Sequence, residues 1–405
     1  MGTHGCEDEP ATRLEVGRMN NRERTRAALN YEPYDGLPVV HFGYWRETLQ
    51  RWTHEGHISE VERQGWQDGN EFDHAVSGRL GFDFNWYTLF QWEWRLYPRL
   101  EKRVIEELPD GGRKVINEDG VIVIEKTGIT SISTEIDHTL RDRASWEQVF
   151  RPRLQFSPER IRVARANMGE HTVRLAEDYE EGIDRLRRHV SPNPVALHCG
   201  SLLGMIRDWL GLMGLSYMMA DDPELLDEMI ETVAELHFQG VSAALSTGAQ
   251  FDYAMFWEDM AYKGGPLVNP RLFRVKLAPH YKRITELLGR HAITIVSLDC
   301  DGVIDKLIPI WLENGVNTMF PIEVGTWKAS IAPWRERFGR DLRGVGGVDK
   351  RIFGKDRAAI DAEIERQKPL VALGGYIPCP DHRIPGDARW ELVQYYCERM
   401  RKEFG

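Results

Sequence analysis

Several broad functional classes are set aside by what the chain lacks. No stretch approaches the ~18 consecutive apolar residues of a membrane span, so no membrane partner is expected. Residues 1–18 are polar and acidic with no apolar h-region, so no secretory signal is expected, and residues 1–19 read as a flexible tail. Cationic excess is missing too: 52 Lys and Arg stand against 63 Asp and Glu, a net charge of −11. Phosphate backbones need a basic surface, which argues against nucleic acid as a partner. The five cysteines (Cys6, Cys199, Cys300, Cys379, Cys397) are scattered, with no C-x-x-C pair. Disulfides are therefore not expected, and a cytoplasmic location fits. Neither tandem repeats nor low-complexity linkers occur.

What is present is an ordinary globular composition, 42% hydrophobic and 28% charged over 405 residues. Short apolar runs alternate with long amphipathic stretches, the pattern of βα units around a parallel sheet. Eight candidate strands start the units: 37–42, 84–90, 194–198, 251–256, 292–298, 316–320, 342–348 and 370–375. Eight strands separated by helical segments predict an α/β chain folded as a (β/α)8 TIM barrel, one domain over residues 20–405. Residues 103–108, a Pro109-Asp110-Gly111-Gly112 turn, residues 113–116 and a second turn before 121–125 predict a small antiparallel hairpin insertion at about 101–130.

In such a barrel, chemistry sits at the C-terminal strand ends. The strand list thus becomes a site list: His41 and Tyr44, Trp86 and Gln91, His198 and Cys199, Trp257-Glu258-Asp259, Asp299-Cys300-Asp301-Gly302, Glu323, Asp349, and Tyr376 through His382. Carboxylates recur there while strand bodies are apolar, and a buried unpaired charge costs several kcal/mol (roughly) unless it has a use. The 13 tryptophans include Trp86, Trp92 and Trp94 in one short run. They suit either core packing with an interface or an aromatic-walled pocket. His198 reads as a pocket wall or structural histidine rather than a ligand. His382 lies among three prolines (Pro378, Pro380, Pro385), which predict an irregular, stiff loop after the eighth strand. An imidazole held there can ligate a metal or protonate a leaving oxygen near neutral pH.

These residues also carry a family resemblance. Asn21-Arg22-Glu23-Arg24-Thr25-Arg26-Ala27-Ala28-Leu29, with Tyr31-Glu32-Pro33 and Asp35-Gly36-Leu37-Pro38-Val39, resembles the entry to the uroporphyrinogen decarboxylase superfamily. So do Asp299-Cys300-Asp301-Gly302 with Leu307-Ile308-Pro309, Glu313-Asn314-Gly315-Val316-Asn317 and Phe320-Pro321-Ile322-Glu323, and the Gly374-Gly375-Tyr376-Ile377 and Pro378-Cys379-Pro380-Asp381-His382 pair. The resemblance implies a (β/α)8 barrel and one of two chemistries, porphyrinogen decarboxylation or methyl transfer involving a corrinoid on a separate protein.

The decarboxylases carry an arginine-rich segment after the first strand. Here it reads His41-Phe42-Gly43-Tyr44-Trp45-Arg46, so a less charged substrate is expected. The thiol-methylating branch resembles a zinc enzyme with a His-x-Cys pair and a last-strand cysteine. Leu298-Asp299-Cys300 lacks the histidine and Gly375 stands where the last-strand ligand is expected. What remains is the set Glu258, Asp301, Glu323 and His382, with Cys300 and Cys379 as substitutes, matching the carboxylate and histidine zinc sites that the resemblance implies for the demethylating branch. A Lewis or general acid activates the leaving heteroatom, and reduced corrinoid is nucleophile enough to take the methyl group.

The leading expectation is therefore a methyltransferase component, a demethylase moving methyl from a small O- or N-methylated substrate to a corrinoid protein. Asp301, His382 and Glu258 are its expected catalytic groups. His41, Tyr44, Arg46, Trp86, His198, Trp257 and Tyr376 are its expected substrate contacts. No Asp-x-His-x-x-Gly signature is present, so the cobalamin is expected on a partner protein, and a homodimer is a candidate assembly. The alternatives are a metal-independent decarboxylase or lyase of a small carboxylate, with Arg46 as anion anchor and Asp301 as acid, and a non-catalytic barrel.

Overall fold

The computed structural model describes residues 18–126, 133–189 and 191–405. The tail expected at 1–19 lies outside them up to residue 17, as do residues 127–130 of the expected insertion. The chain is a mixed α/β structure, and no helix among the described residues is long and apolar enough to cross a membrane.

Strands β1 (Val40–His41) and β2 (Phe84–Asn85) form a parallel pair, and β3 (Leu89–Gln91) follows directly. Next come β4 (Arg103–Glu107), β5 (Arg113–Ile116), β6 (Val121–Glu125) and β7 (Thr134–His138), an antiparallel sheet of four. The last of these has no strong alternation and was not expected. Strands β8 (Arg165–Asn167), antiparallel to β3, and β9 (Thr172–Arg174), antiparallel to β8, then extend the main sheet. The parallel series continues with β10 (Ala196–His198) and β11 (Tyr253–Trp257), then a short hairpin, β12 (Ala261–Tyr262) with β13 (Gly265–Pro266). It closes in sequence with β14 (Val296–Asp299), β15 (Thr318–Ile322), β16 (Arg343–Val348) and β17 (Tyr376–Pro380).

The main sheet runs β17-β16-β15-β14-β11-β10-β3-β8-β9. No hydrogen-bonded ladder closes it into a ring among the described residues. Instead β1 packs beside β17, and a single bridge joins Tyr44 to Ile384 just beyond them. Side chains alternate between two apolar layers, as strand geometry requires. Tyr253 and Met255 pack with Trp86, Phe320, Val345 and Ile377 on one face, while Ala254 and Phe256 pack outward in the core beneath the helices. Both faces are covered, which is why these strands read as continuous hydrophobic runs.

Four expectations need correction. The eighth strand is 376–380, not 370–375: Leu370 and Val371 end the helix Arg357–Val371, and Gly374 and Gly375 turn the chain with positive φ (66° and 62°). The prolines at 378 and 380 do not prevent a strand, because β17 ends the ladder and pairs only with β16, so its other edge needs no amide donors. Trp86 is fully buried and stacks on Tyr253 at 4.4 Å, so it fills the sheet interior rather than walling a pocket. Tyr44 is also core: its hydroxyl meets Ser77 Oγ at 2.9 Å, and its ring packs against Trp52 and Trp66.

Candidate functional site

The parallel strands deliver three carboxylates from two strand ends to one place. β14 ends at Asp299, two residues before Asp301, and β11 is followed by Glu258 and Asp259. One ligand oxygen each from Asp259, Asp299 and Asp301 lies within 4.8 Å of the other two. Asp259 adopts φ 48°, a left-handed backbone uncommon outside glycine, and its Oδ1 accepts the amide of Asp301 at 3.1 Å. Such strain recurs at functional sites. Asp299 accepts a hydrogen bond from the Tyr87 hydroxyl. Burial, then the neighbouring Asp301 charge, pushes the pKa values of Asp259 and Asp299 upward. Like charges held this close resist ionising together.

His382 reaches the cluster from the far end of β17. Its Nε2 lies 3.3 Å from Asp301 Oδ2, and its Nδ1 accepts the Arg383 amide at 2.8 Å. With Nδ1 acting as acceptor, the neutral ring carries its proton on Nε2, directed at Asp301. Trp45 stacks on the imidazole at 5.2 Å and fixes its plane. Glu323, after β15, accepts from the Gly302 amide at 2.6 Å and the Thr326 hydroxyl at 2.8 Å, and burial followed by Asp301 raises its pKa. Gly302 has no room for a side chain: with φ +88°, a Cβ there would lie 2.6 Å from the Ala261 carbonyl carbon.

Glu258 departs from its expected role. Its carboxylate is fully buried and accepts the amides of Leu202, Leu203 and Gly204 at 2.7, 3.0 and 2.8 Å, together with the Tyr281 hydroxyl. It holds the start of the helix Gly204–Asp221, where an anion is favoured, and has no free lone pair for a metal or proton transfer. Cys300 and Cys379 are buried, and desolvation pushes both thiols well above their ordinary range, so neither supplies a thiolate.

The residues present do suit a divalent cation. The Asp301 Oδ1 atom is buried with no hydrogen-bond partner among the described residues, beside two carboxylates with raised pKa values. A hard cation relieves both conditions.

A cleft of about 760 Å³ adjoins this cluster through Tyr87 and Arg383, both of which line it. Of the expected substrate contacts, Arg46, His198 and Trp257 line the cleft. His198 stacks on Trp94 at 4.6 Å, its Nδ1 accepts the Gly200 amide at 2.9 Å, and burial lowers its pKa to about 3. Four expected contacts are elsewhere, Trp86 among them in the sheet interior as described. His41 is sealed beneath the sheet end with Nε2 on Ser77 Oγ at 2.9 Å, and burial lowers its pKa to about 3. Tyr44 is core, as described. Tyr376 starts β17 at the opposite end of the strand, its hydroxyl on the Gly346 carbonyl (2.7 Å) and Gln367 (2.8 Å).

The expected low charge of the pocket is also corrected. Its lining contains Arg46, Arg63, Arg95, Arg165 and Arg383 against one carboxylate, Asp68. Asp68 takes Arg383 in a two-pronged pair at 2.9 and 2.6 Å. Sequence reasoning placed Asp259 and Asp299 at strand ends without choosing them. Nothing in the linear pattern signalled Tyr87, Asp68 or Arg165.

Neither a family model nor a curated protein sequence matches the chain. Among solved structures, it is similar to a methyltransferase from Methanosarcina mazei, with 14% identity, 95% of this chain and 99% of that one covered, and a TM-score of 0.56. It also aligns with a putative vitamin-B12 independent methionine synthase from Listeria monocytogenes, at 13% identity, 92% and 98% coverage, and a TM-score of 0.40. The first likeness is one of fold.

Proposed function

We propose that this chain is a methyltransferase component that moves a methyl group from a small O- or N-methylated substrate to a corrinoid on a separate protein. The reading takes the eight parallel segments as a (β/α)8 barrel over residues 20–405, with the antiparallel sheet as its insertion. The observation that carries it is the contact between His382 Nε2 and Asp301 at the edge of a three-carboxylate cluster, beside a cleft lined by arginines and aromatic rings. The fold shared with a methyltransferase supports it.

In this reading Asp259, Asp299 and Asp301 hold a divalent cation such as Zn²⁺. When bound, that cation supplies Lewis-acid activation of the leaving heteroatom. His382 holds a proton at Nε2 and offers it as a hydrogen bond that stabilises the departing oxygen or nitrogen, and Asp301 keeps the ring in that tautomer. Tyr87 positions Asp299, and Trp257 and Trp94 exclude water from the transfer path. Glu323 braces the turn at Gly302.

The arginines favour a second reading, a decarboxylase or lyase acting on a small carboxylate with Arg46 as anchor. Mixing the protein with a reduced corrinoid protein and methylated donors separates the two. A methyl–cobalt absorption band is expected, and His382→Gln should lower its rate about 10²-fold or more without changing the melting temperature. Release of carbon dioxide with no such band overturns the methyl-transfer reading.

A further inference from the structure

We infer that the cleft takes a substrate bearing a carboxylate on a flat ring, and that Arg165 is the residue that anchors the carboxylate. The inference rests on the reading of this cleft as the substrate site and adds the substrate class to it.

Arg165 on β8 stands in register with Gln91 on β3, so backbone hydrogen bonding fixes where its side chain begins. Its guanidinium meets only neutral amide oxygens: Nη2 and Nε reach Gln91 Oε1 at 2.9 and 3.3 Å, and Nη1 donates to Gln67 Oε1. No carboxylate pairs with it among the described residues. Three other arginines of the lining are already neutralised: Arg63 by Glu60, Arg95 by Asp119 and Arg383 by Asp68. Asp68 acts on Arg165 electrostatically but is already taken by Arg383, so this half-buried guanidinium has no ion pair of its own, a state costly to keep unless an anion arrives to meet it. Its planar fork suits the two oxygens of a carboxylate better than a tetrahedral or neutral group. Trp66, Tyr87 and Trp257, each half-buried in the lining, supply flat walls, so the rest of the ligand is a ring rather than a chain.

The test uses benzoate and its neutral counterpart methoxybenzene, with binding read from tryptophan fluorescence on the intact protein. Benzoate should bind more tightly than methoxybenzene. Arg165→Met should weaken benzoate roughly tenfold or more while leaving methoxybenzene unchanged. Arg399→Met, which removes an arginine paired with Asp361 away from the cleft, should leave both unchanged. Arg165→Lys keeps the charge without the fork and should fall between; it carries the comparison if the methionine variant does not fold. The inference is overturned if benzoate fails to bind, binds no better than methoxybenzene, or is indifferent to Arg165. Methyl transfer from 4-methoxybenzoate to reduced corrinoid protein is scored separately. Arg165-dependent benzoate binding with no methyl–cobalt band from any donor defeats the methyltransferase reading alone. A band obtained only with uncharged donors defeats the carboxylate anchor alone.

Discussion

Glu258 and Asp259 are consecutive residues at the end of β11, and their surroundings are opposite. Glu258 points back into the fold, where three backbone amides and the Tyr281 hydroxyl satisfy its oxygens. Asp259 turns through a left-handed backbone toward Asp299 and Asp301 and receives one amide. A carboxylate at a strand end is therefore not functional by position. The donors it already has decide whether it retains capacity for a ligand. The same contrast holds among the histidines. His41, His198 and His237 are buried among fixed partners, whereas His382 faces the cluster at the cleft side.

The strongest way to break this contrast is to exchange the two acids' fates. Glu258→Ala strands three buried amides at the start of a long helix and should cost about 3–5 kcal/mol of stability. Asp259→Asn keeps the acceptor for the Asp301 amide, tolerates the left-handed backbone and removes a like charge. It should leave stability level or raised while lowering methyl-transfer turnover about 10²-fold. Urea unfolding and turnover on both variants check this. A destabilised Asp259→Asn beside a stable Glu258→Ala would reverse the assignment.

That pair also marks how far the sequence could be read. Alternation along a strand puts adjacent side chains on opposite faces, so one of the two acids had to turn away from the site. Which one depends on where the helix at Gly204 begins and on the φ of Asp259, and neither is local. The strands themselves were legible where both faces are buried, as at 253–257 and 296–299, because the apolar runs are continuous. β17 was displaced because its prolines disfavour a strand everywhere except an edge, and edge status is a property of the whole sheet. His382 and Asp301 were legible because each follows a strand end. Arg165 was not, since its place beside Gln91 depends on a short antiparallel strand formed far along the chain.

The histidines sharpen the contrast through pH. Burial lowers the pKa values of His41, His198 and His237 to about 3 each. In the unfolded chain each takes up a proton near pH 6.5 (about) that the folded chain refuses. The stability from each neutral ring is thus fully present above about pH 6.5 and lost as pH falls toward about 3. Raised carboxylates, such as Asp73 at about 7, oppose this by losing their contribution as pH rises from about 4 to 7, so wild-type data alone mix the two. Comparing the wild type with His237→Gln isolates one ring. Between about pH 6 and pH 4 the variant's stability should fall less steeply, by about 1.4 kcal/mol per pH unit. Equal slopes would mean that the ring titrates in the folded chain and is not sealed.

Tyr376 gives the smallest effect and isolates the opposite end of the same strand. It was expected to touch substrate, yet it opens β17 at the end remote from His382, and its hydroxyl donates within the fold to the Gly346 carbonyl and Gln367. The Gln367 amide already serves the Gly347 carbonyl at 2.7 Å, so removing the hydroxyl leaves acceptors short of one donor and opens no cavity. Tyr376→Phe should therefore cost about 1 kcal/mol of stability. Benzoate affinity and the methyl-transfer rate should both stay at wild-type values, because no strand end or cleft wall moves. Chemical denaturation together with the fluorescence titration measures both quantities on one sample. Weakened binding at unchanged stability would bring the site down through the sheet to the far end of β17, and the division between satisfied and open groups would no longer follow the strand ends.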